Sequence, residues 1–198
     1  MSRVLPILFN TDMVRAILDG RKTCTRRIIK AEKVDNVLNS PARKGNPDIP
    51  DTQFIKCLVD MKYEPGDILY VRETWMDYAG RTVYKADCDK FHLESLNFAG
   101  FSWHPSIHMP KEAARIWLKV TDVRVERLQA ITGQDVLKEG LNSHVHPQAC
   151  YFDCNQREMF ENLWNSTIKK PDIDRYGWDA NPWVWVVEFE RCEKPEGV

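Results

Sequence analysis

The sequence predicts an α+β fold: a small mixed β-barrel of about five to seven strands, with short helices at its openings and long insertions in its loops. Two observations predict it. At least five short segments carry apolar runs or alternation, which are strand signals, and the last of them spans residues 183–191. Helical periodicity, by contrast, is confined to a few short windows. No internal repeat is present. With 198 residues the chain is long enough for one domain with a full core, expected to span residues 1–198.

In chain order, residues 4–9 read as a buried strand. Thr11 is a suitable N-cap, Met13, Val14, Ile17 and Leu18 follow at helical spacing, and Gly20 is a natural stop. Residues 23–30 enter a second strand. Residues 31–62 lack sustained periodicity and are interrupted by four Pro or Gly residues, so they read as an insertion loop with a helical turn near 52–58. Pro65-Gly66-Asp67 is a tight turn before a strand at 68–72, and residues 82–86 form another strand candidate. Residues 87–110 read as irregular and end in a loop fixed by Pro105 and Pro110. Ile116, Leu118 and Val120 alternate, then Val123 and Val125 alternate in the opposite phase. The slip at Thr121-Asp122 marks one long strand with a bulge, or two strands. Thr132 caps a short helix that Gly140 stops. Residues 141–154 read as a polar loop, and Asn155 with Glu158 has the form of a capping box that starts a helix. In the closing strand Trp183, Trp185, Val187 and Phe189 share one face.

Composition narrows the function. A net charge of -1 excludes a globally basic nucleic-acid binder, so any such contact must come from a local patch. No run approaches the roughly 18 apolar residues of a membrane span, and the first residues do not form a signal segment. A cytoplasmic location is expected, with the six scattered cysteines reduced. There is no Walker phosphate loop, no Gly-x-Gly-x-x-Gly and no His-Glu-x-x-His. His144, His146, Cys150 and Cys154 have the residue types for zinc, but not the spacing of a finger or ribbon, and free thiols and histidines in a loop are the simpler account. No metal and no cofactor are expected.

The chemistry concentrates in Gly20-Arg21-Lys22-Thr23-Cys24-Thr25-Arg26-Arg27-Ile28-Ile29-Lys30, which holds five cations and no carboxylate. Neighbouring arginines can push Lys22 toward neutrality, a threonine hydroxyl can act as nucleophile, and Arg21, Arg26 and Arg27 can hold phosphate. A strand edge with solvated cations is the plainer alternative. On a regular strand residues 22 and 25 point to opposite faces, so joint action requires a bend just after Gly20.

These motifs, in this order, resemble the ASCH family, a branch of the PUA-like β-barrels. Gly20-Arg21-Lys22-Thr23-x-Thr25, Pro65-Gly66-Asp67-x-Leu69-x-Val71, and Leu128-x-x-Ile131-Thr132 leading to Glu139-Gly140 are similar to its three motifs. The loop from Pro105 to Pro110 and the ending Asp179-Ala180-Asn181-Pro182-Trp183-Val184-Trp185 are similar to members from phages and prophages. The resemblance implies a cleft beneath the first helix, where members handle RNA or modified nucleobases. One small bacterial member removes the acetyl group of N4-acetylcytidine with a lysine, a threonine three positions later and a glutamate, which match Lys22, Thr25 and Glu139. The present chain departs from it through insertions near 31–62, 87–110 and 141–182.

The expectation is therefore a protein that recognises a nucleobase or nucleoside. Its sharper form is an amidohydrolase for N4-acylated cytidine, with Thr25 as nucleophile, Lys22 as base and Glu139 as proton shuttle. The alternatives are a non-catalytic reader of RNA or modified DNA, and a scaffold that binds a host protein. Partners are expected to be a nucleoside, or a single-stranded or modified nucleic acid, met through a local basic cleft and not at a membrane. Arg21, Arg26, Arg27, Arg72, Glu73, Trp75, Trp103, His108 and Trp183 are the candidate binding residues. Glu73 can pair with the first-segment arginines or read a base edge, His108 can contact a base, and tryptophans at strand ends and in loops can stack one. Trp117, Trp164 and Trp185 belong to periodic patterns and are expected in the core.

Overall fold

A computed structural model describes residues 2–98, 100–141 and 149–197. The chain runs β1 (Val4–Leu8), α1 (Thr11–Leu18), β2 (Cys24–Ile28), α2 (Ala31–Leu38), α3 (Pro41–Lys44) and α4 (Asp51–Leu58). There follow β3 (Ile68–Arg72), β4 (Trp75–Tyr78), β5 (Arg81–Tyr84), α5 (Lys90–Phe98), β6 (Trp117–Arg127) and α6 (Gly133–Lys138). The chain ends with α7 (Ala149–Thr167), α8 (Ile173–Tyr176) and β7 (Trp183–Cys192). Five strands form one mixed sheet in the order β1-β3-β6-β7-β2, with β1 parallel to β3 and the other neighbours antiparallel. β4 and β5 form a separate hairpin, turned at Ala79 and Gly80, both at positive φ as a two-residue hairpin turn requires.

Each face of the sheet carries a core, because side chains alternate along a strand. Trp185, Val187 and Phe189 pack with Val14 and Ile17 of α1, Val34 of α2 and Ile55 of α4. Val184 and Val186 pack on the other face with Val136 of α6, Phe160 and Trp164 of α7, and Trp178. The slip at Thr121-Asp122 is a register shift within one strand, between Val120 and Asp122 of β6. That irregularity lets Val120, Val123 and Val125 all enter the first core.

The expected closed barrel is not formed. β1 and β2 are the two edges of the sheet, and no ladder joins them. A side chain spans the two: Arg27 Nη2 donates to the carbonyl of Leu8 at 2.8 Å. Pro6 in the middle of β1 has no N–H to give a ladder. Its carbonyl is taken instead by the Tyr63 hydroxyl at 2.9 Å and by Lys62 at 3.4 Å, from the segment after α4. The sheet is thus a curled, open structure with a gap between its edges.

Several local expectations change. Asn10, not Thr11, caps α1, its side chain accepting from the Met13 amide at 2.9 Å. Residues 31–62 hold three helices, not a loop with one turn: Val34, Val37 and Leu38 pack on the first core, a spacing too short to stand out as periodicity. Residues 87–110 include α5. Helix α7 begins at Ala149, so Asn155 lies inside it and is not its cap. Among the described residues no helix is long and apolar enough to cross a membrane.

Candidate functional site

The cationic segment leaves α1 through Gly20, at φ 74°, and the next two amides return to the helix end, Arg21 N and Lys22 N both donating to the Ala16 carbonyl at 2.9 and 3.0 Å. Lys22 therefore precedes β2 and is not part of it; it forms an isolated antiparallel bridge with Glu139 at the end of α6. The chain thus bends just after Gly20, before β2 begins. Helix α6 is fixed by a reciprocal cap between Thr132 and Asp135. Gly140, at φ 93°, follows Glu139. A Cβ on it would stand 2.7 Å from the Ala16 Cβ and 2.9 Å from the Lys22 Cβ, so only glycine lets α6 end against α1 and Lys22.

Lys22 and Glu139, 117 positions apart, meet in the interior. Lys22 Nζ donates to Glu139 Oε2 at 2.6 Å, to the Glu139 carbonyl at 2.9 Å and to the Cys24 carbonyl at 2.7 Å, and its side chain is 0% exposed. The other carboxylate oxygen, Oε1, accepts from Arg26 Nη1 at 3.1 Å. Arg26 is itself buried, faces Phe160 at 5.8 Å, and lies near Glu126 at 3.4 Å and Asp135 at 3.8 Å. Burial acts to raise the Asp135 carboxyl, but the Thr132 hydrogen bonds and Arg26 outweigh it and hold it below its ordinary range. Two buried cations are thus balanced by one close carboxylate and two farther ones.

Thr25 and Arg27 occupy the opposite face of β2 from Cys24 and Arg26. Thr25 is 2% exposed and stands across from Val187. Lys22 Nζ and the Arg27 guanidinium both lie over the Phe9 ring, at 5.6 and 5.4 Å. Burial pushes the Cys24 thiol up to about 12, with Glu139 adding to the shift. At neutral pH it stays protonated and is no competing nucleophile. Burial also lowers the Arg27 guanidinium from its ordinary value, without bringing it near neutral pH.

The remaining candidates divide into two other places. Arg21 sits at the margin of the cluster, paired with Asp19 at 2.8 Å and donating to the Gly140 carbonyl, where it ties down the end of α6. Arg72, Glu73, Trp75, Trp103 and His108 gather where β3 ends. Glu73 does not pair with the first-segment arginines: Arg115 holds it with two parallel bonds at 2.9 and 3.1 Å and reaches Asp87 at 2.6 Å. Arg72 donates to the Ile107 carbonyl, and the Glu73 amide meets Met109 Sδ at 3.1 Å, so the segment from Pro105 to Pro110 locks onto the strand end. Trp75 pairs with His104 through both backbone and ring, the rings 4.9 Å apart, while His108 is exposed. Trp183 lies apart, at the start of β7, under the Arg127 guanidinium at 4.2 Å. Trp117, Trp164 and Trp185 are buried as expected, and so is Trp178.

Among the described residues seven buried side-chain atoms have no hydrogen-bond partner, and five of them belong to these candidates: Arg26 Nε, Arg72 Nε and the indole nitrogens of Trp75, Trp103 and Trp183. All five are donors, in a fold where buried donors are normally paired. Sequence reasoning missed Arg115, Phe9 and the Gly140 contact. Only the Glu139-Gly140 motif carried a signal for the last. His144 and His146 lie outside the described residues, as do the side chains of Cys150 and Cys154. Among the described residues no group of three His, Cys, Asp or Glu side chains is placed to hold a metal ion.

No family model matches the chain, and no curated protein matches it. Among solved structures it is similar to the ASCH domain from Lactobacillus crispatus JV V101, with 10% identity over 96% of this chain and 79% of that one, at a TM-score of 0.38. At that identity and score the likeness decides neither fold nor activity.

Proposed function

We propose that this chain is an ASCH-type protein of the phage kind that recognises a nucleobase or nucleoside and removes the acyl group from an N4-acylated cytidine. The observation that carries the reading is the buried 2.6 Å pair between Lys22 and Glu139, set one residue away from Thr25 through the Cys24 carbonyl that Lys22 also grips. An amide is cleaved by a nucleophile, a base for its proton and an acid for the leaving amine, and a short lysine–carboxylate pair can hold a proton on either partner. The pair, with Lys22 as base and Glu139 as shuttle, takes the hydroxyl proton as Thr25 Oγ adds to the acyl carbonyl carbon. The C–N bond then breaks, the pair returns a proton to N4, and the acyl group remains as a threonine ester. Water, deprotonated by the same pair, hydrolyses the ester to carboxylate and free threonine. Arg26 positions Glu139. Arg27, which lines an open cleft, is the cation best placed to meet substrate.

The test is release of cytidine from N4-acetylcytidine, followed by chromatography. Thr25→Val keeps the side chain's shape and removes the hydroxyl, and it is expected to lower turnover at least ~100-fold at an unchanged melting temperature. Release that persists in a folded Thr25→Val protein contradicts the mechanism.

A second reading keeps the cleft and drops the chemistry: a non-catalytic reader of RNA or modified DNA. Lys22 favours it, since three oxygens surround an ammonium that has three protons to give. It predicts no release and an affinity for nucleic acid that falls steeply with salt.

A further inference from the structure

The gap between the sheet edges is a cleft of about 420 Å³, within the size range of small-molecule sites. Its floor is apolar and partly aromatic: Val123, Val187 and Trp185, a residue 9% exposed. Its rim is cationic. Arg27, Lys30, Lys33 of α2 and Lys62 after α4 line it, against the single carboxylate of Asp60. Arg27 and Lys62 donate only to backbone carbonyls, and among the described residues none of the four cations has a carboxylate within ion-pair distance. The chain as a whole carries 28 Lys and Arg against 29 Asp and Glu, so four unpaired cations on one rim do not follow from composition.

The cleft adjoins the Lys22 cluster. Val187 in its floor is the cross-strand partner of Thr25, and Arg27 in its rim shares the Phe9 ring with Lys22. The bond from Arg27 to the Leu8 carbonyl crosses between its two walls, which makes it a pocket for one unit and not a groove that a polymer could thread. Lys33, Lys62 and Tyr63 belong to, or directly follow, the insertion at 31–62, so this wall is a feature of the present chain.

We propose that this cleft binds a nucleoside monophosphate, its base against Trp185 and its phosphate among Lys30, Lys33 and Lys62. The phosphorylated nucleoside is then the preferred substrate, and the free one a weaker substrate. This rests on the nucleoside reading above and names its substrate class. A planar ring packs on the apolar floor, and a phosphate dianion collects charge-assisted hydrogen bonds from lysines that form no ion pair with a carboxylate.

The experiment measures binding of cytidine 5′-monophosphate, cytidine, inorganic phosphate and a short single-stranded RNA to the full chain by calorimetry. It is repeated on the double variant Lys33→Gln, Lys62→Gln. Both lysines are exposed, and a melting curve checks that the variant folds. The monophosphate is expected to bind at least roughly tenfold tighter than cytidine, and the double variant is expected to lose that advantage while keeping its affinity for cytidine. Equal binding of monophosphate and cytidine overturns the proposal, as does inorganic phosphate binding as well as the monophosphate, or RNA binding alone. If none of the small ligands binds while the protein still releases cytidine from N4-acetylcytidine, the cleft assignment fails and the nucleoside reading stands. If release also fails, both fall.

Discussion

Glu73 and Glu139 are both buried carboxylates at the point where an element ends, β3 for one and α6 for the other, and both are met by arginine. Glu73 receives a two-point fork from Arg115, whose guanidinium also holds Asp87 and lies 3.9 Å from the Tyr84 ring. Both of its oxygens are engaged by one planar group, and the result is a lock between strand end and loop. Glu139 divides its oxygens between two cations, Lys22 at 2.6 Å and Arg26 at 3.1 Å. Lysine, unlike arginine, can give up its proton when buried. Arg26 keeps an unpartnered Nε, and Thr25 stands on the opposite face of β2. The same acid therefore makes a two-point joint with one arginine in one place and a junction shared between lysine and arginine in the other.

The comparison breaks most visibly under truncation. Glu139→Ala strands two buried cations and is expected to cost about 3–5 kcal/mol in chemical denaturation. Glu73→Ala leaves Arg115 with Asp87 and with a side chain 26% exposed to water, so a smaller loss of about 1–3 kcal/mol is expected. Equal losses would mean that the two clusters do the same work.

The backbone next to Glu139 sharpens the point. Gly140→Ala combines a positive φ with Cβ contacts under 3 Å, and should lose about 2–4 kcal/mol and displace Lys22. Gly20→Ala has the same handedness problem at φ 74° but meets nothing within 4 Å, and should lose only about 1–2 kcal/mol. Stability curves of the two variants measure the cost of the close approach by difference.

The smallest effect comes from a third carboxylate, which belongs to neither cluster. Burial acts to raise Asp67, but the Arg3 fork and the Glu64 amide outweigh it and hold the carboxyl below its ordinary 3.8. A depressed acid stabilises the fold above its unfolded value and loses that contribution as pH falls through its folded one. Asp67→Asn should thus show its full deficit above about pH 5 and approach wild type below 3.8. A deficit that is constant with pH contradicts the assignment.

Much of the Glu139 cluster was legible because its signals are local. Gly20 and Gly140 mark two chain reversals, Thr132 and Asp135 fix the helix between them, and the alternation of residues 183–191 supplies the partner strand. The bulge in β6 was legible for the same reason, as a phase slip within ten residues. The Glu73 lock was not. Its partner lies 42 positions on, in a stretch with no motif, and a lone arginine gives no sign of where it will reach. Helix α4 was legible as the helical turn near 52–58, whereas α2 was not: the prolines and glycine that interrupt 31–62 obscured it, and it draws its stability from packing on the first core. Barrel closure depends on whether two edge strands can ladder, a long-range property that Pro6 and the 59–63 segment decide.

The most direct measurement is cytidine release per folded molecule from N4-acetylcytidine by wild type, Thr25→Val and Glu73→Gln side by side. The account predicts that Thr25→Val melts like wild type and releases almost nothing, whereas Glu73→Gln melts earlier and turns over at the wild-type rate at temperatures where it is folded. Turnover lost in folded Glu73→Gln and retained in Thr25→Val would place the chemistry in the wrong cluster and contradict it.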